Sequence, residues 1–130
     1  LAASDTAAVR NISREFGVRA SRYLPGSMGT DRLFHHAVIL LALRDTTAAR
    51  TQLDVALAAL PRVRSMLTEV PPQAAAVGRA MILRAQLAAR TGDRPTAERW
   101  ARSAQLLWGG ADPDLRAPLD ELRRTRSSSP

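Results

Sequence analysis

Residues 45–61 read Asp-Thr-Thr-Ala-Ala-Arg-Thr-Gln-Leu-Asp-Val-Ala-Leu-Ala-Ala-Leu-Pro, and their outline recurs at residues 93–104, Asp-Arg-Pro-Thr-Ala-Glu-Arg-Trp-Ala-Arg-Ser-Ala. In each stretch an Asp able to cap a helix is followed by Ala or Leu four, eight and eleven positions on: Ala49, Leu53 and Ala56, then Ala97, Ala101 and Ala104. Small residues at that spacing keep one helix face flat, so a second helix can approach closely. The repeated pattern predicts an all-α chain of antiparallel helical hairpins. Sparse Val and Ile and an aromatic content of 4% leave little from which to build strands.

Working outward, Asp31 reads as the cap of an apolar helix over Leu33–Leu43, expected to be the central one and buried on most sides. Upstream, Ser4-Asp5-Thr6 reads as the cap of a first helix carrying Val9, Ile12 and Phe16. Gly17 weakens that helix, and Pro25-Gly-Ser-Met-Gly29 ends it. Downstream, Pro61 closes the 45–61 helix, and Arg62–Val70 reads as a short helical continuation. Pro71-Pro72 then opens a long Ala-rich helix over Gln73–Arg90. Gly78 inside that helix permits close packing, and Gly92 stands where a left-handed cap residue belongs. Asp112-Pro113 starts a last helix with Leu115, Leu119 and Leu122, and residues 127–130 read as a flexible tail. The expected organisation is a single domain over 1–126. Its hairpins fall at about 30–63 and 78–111, flanked by capping helices at 4–24 and 113–125. The alternative is a plain bundle of five or six helices.

Composition narrows the chemistry. The 130 residues carry 19 basic and 12 acidic side chains, a net charge of +7, and every basic residue is Arg. With no Cys, disulfides, thiolate nucleophiles, zinc–thiolate sites and iron–sulfur clusters are excluded. No apolar run approaches the roughly 18 residues of a membrane span. The start, Leu1-Ala-Ala-Ser-Asp5, has neither basic nor apolar signal regions, and a chain opening on Leu reads as a processed product or an excised domain. The compartment stays open between cytoplasm and periplasm. The Arg- and Ala-rich usage matches a GC-rich bacterial genome.

Catalytic and metal-binding patterns are weak. His35 and His36 are neighbours and point about 100° apart on a helix, which suits one metal poorly; His36 is expected at a helix contact and His35 on a rim. Carboxylates gather at helix starts, as capping requires, and Glu15–Arg19, Glu98–Arg102 and Asp120–Arg124 are spaced as surface pairs. Residues 25–29 lack the Lys-Ser/Thr end of a phosphate loop, and Asn11-Ile12-Ser13 is a formal glycosylation triplet inside a helix. We therefore expect no enzyme, no cofactor and no metal. The Arg excess raises nucleic-acid binding as a second reading. Yet the arginines are dispersed among acids, only Arg123-Arg124-x-Arg126 is dense, and few aromatics offer stacking.

Residues 30–63 resemble the tetratricopeptide repeat, whose signature spans about 34 residues. Leu33 stands at the place of its Trp, His36-Ala37 at Leu-Gly, Leu40 at Tyr, Ala49, Leu53 and Ala56 at the second-helix positions, and Pro61 at the closing Pro. A second copy at 78–111 matches through Met81, Ala85, Ala88, Gly92-Asp93, Ala97 and Ala104. It departs at Arg84, which fills an apolar slot, and in lacking the final Pro. The resemblance implies a short α-solenoid acting as an adaptor or scaffold that holds a partner protein or peptide in a concave groove. It implies Arg79, Ile82, Gln86 and Arg90 as the partner-binding residues, the arginines clamping carboxylates and Gln86 bonding a peptide backbone. The first copy offers Asp31, Phe34, Val38 and Leu41, so apolar that the amino-terminal helix is expected to cover them. With two hairpins only, self-association would cover exposed ends.

Overall fold

The computed structural model describes residues 3–22, 30–62 and 71–110, with the single positions 117, 120 and 124. Among the described residues five α-helices follow one another: α1 Ala3–Arg22, α2 Thr30–Ala42, α3 Thr46–Ala58, α4 Pro71–Arg90 and α5 Arg94–Trp108. A 3-10 turn at Leu60–Arg62 follows α3, and none of the described residues lies in a strand. The chain is all-α, built from the antiparallel hairpins α2–α3 and α4–α5, which meet through α4.

Both hairpins turn on the same device. At the first, the Arg44 N–H donates to the Leu41 carbonyl at 2.9 Å and the Asp45 N–H to the Leu40 carbonyl at 2.9 Å, with Arg44 in left-handed backbone at φ 62°. At the second, the Gly92 N–H donates to the Ala89 carbonyl at 3.1 Å and the Asp93 N–H to the Ala88 carbonyl at 3.0 Å, with Gly92 at φ 75°. These paired bonds are the Schellman closure of a helix end. In each case the same Asp then caps the next helix: Asp45 Oδ1 accepts from the Ala48 N–H at 2.9 Å, and Asp93 Oδ1 from the Thr96 N–H at 3.2 Å. The Thr96 hydroxyl and N–H hold the Asp93 carboxyl below the usual carboxylate range. That cap is therefore complete at neutral pH and lost as acid titrates the carboxylate through its lowered value.

Packing follows the alanines. Ala37, Ala49, Ala80, Ala85, Ala88 and Ala104 are fully buried, and Leu53 is the largest side chain buried completely. Gly78 lets α5 close on α4: a Cβ built there would overlap the Trp108 ring at Cδ2, Cε2 and Cζ2. Trp108, itself buried, thus fills the space a side chain at 78 would need.

Several expectations change. The central helix is α4, which contacts α2, α3 and α5; α2 instead leaves Val38 and Ile39 each 43% exposed. Both helices touch three others, but the small side chains of the Ala-rich α4 let its neighbours approach closely, while Val38 and Ile39 lie on a side of α2 that stays open. α2 begins at Thr30, which places Asp31 inside its first turn, and α1 begins at Ala3 and runs unbroken through Gly17. α1 meets α2 at His36, on the opposite side from Val38, so it does not cover the Phe34–Val38–Leu41 face. Its inward stripe runs through Ser13, while Ile12 is 66% exposed. The expected continuation over 63–70 and most of the helix over 113–125 lie outside the described residues, as does the 127–130 tail.

Three outcomes follow for urea denaturation. Arg44→Gly should stabilise the domain by about 0.5–1 kcal/mol by relieving a left-handed non-glycine residue, and Gly92→Ala should cost about 1 kcal/mol through backbone strain alone. Gly78→Ala should cost about 2 kcal/mol from overpacking against Trp108, although Ala is the better helix former by about 1 kcal/mol.

Candidate functional site

α4 has neighbours on three sides, and what it leaves open is a narrow strip. With 3.6 residues per turn, positions 79, 82, 86 and 90 fall on one row. Arg79 and Arg90 are exposed and Gln86 is half-buried, whereas Ile82 on the same row is only 4% exposed and belongs to the core cluster with Leu53, Leu57 and Trp108. The fold thus brings Arg79, Gln86 and Arg90 to one accessible strip, with the two arginine Cα atoms about 16 Å apart along the axis. It draws the apolar Ile82 beneath. Neither guanidinium joins an ion pair among the described residues. Of the corresponding α2 positions, Phe34 and Leu41 pack half-buried against the core, and Val38 is open to solvent.

Arg84 resolves the departure at the apolar slot. Its Nε donates to Asp54 Oδ1 at 2.7 Å and its Nη2 to Asp54 Oδ2 at 3.3 Å, a two-pronged bond from α4 to α3. The Arg84 side chain is 12% exposed and that of Asp54 51%. The stem takes the apolar place while the charged head reaches the α3 rim. Nothing in a spacing of 30 residues marks this pair in the sequence.

A second concave feature lies between α1, α2 and α3, a cleft of about 600 Å³ lined by Arg10, Ser13 and Arg14, by His36, Leu40 and Leu43, and by Asp45, Ala48, Thr51 and Gln52. Its floor is fixed by His36, which is buried. His36 Nε2 lies 3.0 Å from the Ser13 carbonyl, which can only accept, and 2.8 Å from Ser13 Oγ. Nε2 donates to that carbonyl when it carries the ring proton and accepts from the Ser13 hydroxyl when it does not, so Ser13 holds the ring in either tautomer. Phe16 flanks the ring at 4.5 Å between centroids. His35 is exposed, edge-on to Phe34. Ser13 was legible as an interior group only through its place between Val9 and Phe16 at helical spacing, and Gln52 carries no mark in the sequence. Among the described residues no three His, Asp or Glu side chains converge as a metal site, and no helix is long and apolar enough to cross a membrane.

Compared with protein-family models, with curated proteins and with solved structures, the chain matches none.

The Arg84–Asp54 pair is asymmetric in burial, and its deletions should be asymmetric too. Asp54→Ala, which strands a largely covered guanidinium, should cost about 1 kcal/mol after solvent screening. Arg84→Met, which keeps the packed stem, should cost less than half as much in the same urea titration.

Proposed function

We propose that this domain is a non-catalytic interaction module, a tetratricopeptide-like stack of hairpins that serves as an adaptor or scaffold by holding a partner protein or peptide along the open strip of α4. The observation that carries this reading is the exposure of Arg79 and Arg90, with the half-buried Gln86 between them, on a helix whose described residues are mostly covered. A rigid, surrounded helix presents its few open side chains at fixed spacing, so little order is lost when a ligand docks on them. Two guanidinium groups suit carboxylates bidentately, and Gln86 between them both donates to and accepts from a peptide backbone. The partner that fits is a segment with acidic side chains separated by about 16 Å, the span between the arginines. Repetition of the helix-closing device at 44–45 and 92–93 supports the hairpin-stack reading.

The test is selection from a displayed peptide library with the wild-type domain and with Arg79→Glu/Arg90→Glu. Wild type should enrich acidic peptides, and the variant should bind them about a hundredfold more weakly, the loss of two charge-assisted contacts. Unchanged peptide binding would remove α4 from the interface. Tight polynucleotide binding that collapses with salt in both proteins would favour the Arg-rich nucleic-acid reading.

A further inference from the structure

We infer that the cleft between α1, α2 and α3 is a binding site for a small organic carboxylate with an apolar body. The site shares no residue with the α4 strip and stands or falls independently of it. Three properties of the cleft point to this class of ligand. The first is charge: Arg10 and Arg14, one turn apart on α1, are both exposed, both line the cleft, and neither is ion-paired among the described residues. The one carboxylate among the described lining residues, Asp45, caps α3 through Oδ1 and keeps its charge, so the two guanidinium groups outweigh it at the mouth.

The second property is unmet hydrogen bonding in the floor. Gln52 Nε2 is buried without a protein partner, and its amide makes no hydrogen bond to another described residue. Burying such a group unsatisfied costs free energy. By turning toward the cleft, the Gln52 amide loses no protein bond and gains one to a carboxylate oxygen. His36 Nδ1 is likewise buried without a partner, but Ser13 anchors its ring, so His36 serves as a fixed wall and Gln52 as the adjustable reader. The third property is an apolar side formed by Leu40, Leu43 and Ala48, facing an open cleft of about 600 Å³, room enough for a small molecule to lie along it. Arginine forks at the mouth, an amide donor in the floor and an aliphatic wall together describe a carboxylate with a hydrocarbon tail.

The experiment titrates the whole domain with 3-phenylpropionate, with its uncharged amide and with inorganic phosphate, reading backbone amide shifts by NMR. 3-Phenylpropionate at about millimolar concentration should shift the resonances of Ser13, His36 and Gln52. The amide, which lacks the charge, and phosphate, which lacks the tail, should each bind about tenfold more weakly or not at all. Arg10→Gln/Arg14→Gln and, separately, Gln52→Leu should each weaken 3-phenylpropionate about tenfold while leaving the remaining spectrum in place. The first variant changes only exposed side chains, so the test does not depend on a buried substitution folding. No response of the cleft to 3-phenylpropionate would overturn the proposal, showing a pocket that takes water only. Equal responses to all three probes, or binding unaffected by either variant, would overturn it as well.

Discussion

The fold depends on two aspartates that each belong to two helices. Through their backbone N–H groups Asp45 and Asp93 close the helix before them, and through their carboxylates they open the helix after them. A left-handed residue immediately before each Asp reverses the chain, and no further length is spent on the joint. The helices are therefore forced antiparallel at their nearest approach, and the alanines in the facing stripes let them close. Were either joint longer or looser, α2 would not meet α3, nor α4 meet α5, in the register that buries Ala49 and Leu53 or Ala101 and Ala104.

From those two hairpins the rest is built by enclosure. α4 is slim enough to be surrounded, and Gly78 makes it slimmest where the Trp108 ring lies against it. The aliphatic stem of Arg84 fills an apolar position while its head is bonded to Asp54 across the hairpin boundary. Enclosure leaves Arg79, Ala89 and Arg90 exposed and Gln86 half-buried, so the accessible strip is a by-product of the packing that stabilises the domain. α1 stands apart from this arrangement: its contact with the body is made to α2, where Ser13 and Phe16 grip His36, and the cleft opens beside that same contact.

Features governed by local rules were legible in the sequence. Asp45 and Asp93 announce caps, Gly92 a left-handed turn, Gly78 a close approach, and the Ala spacing an all-α hairpin fold. Arg44 was not legible, because its side chain gives no sign of the left-handed backbone that the Schellman closure imposes on it. α2 also meets three helices, but its apolar residues run nearly all round it, and Val38 and Ile39 fall where none of the three covers them. Ile82 marks another limit within the candidate site: it lies about 60° from Arg79 and about 40° from Gln86 around the helix, and that rotation with its own apolar chemistry places it inside. The cleft was illegible for a different reason. Ser13, His36 and Gln52 come from three helices, and only the tertiary packing makes them neighbours.

The double duty of the joint aspartates also bears on how the chain reaches its native state. Each hairpin is closed by bonds between residues no more than five apart, so its nucleus forms without the entropy cost of a long loop. Chains dominated by such local contacts fold in microseconds to milliseconds. Docking one hairpin on the other along α4 joins residues much farther apart in the chain and so carries the larger closure cost. The Arg84–Asp54 bond, which links residues of different hairpins, is one of these distant contacts.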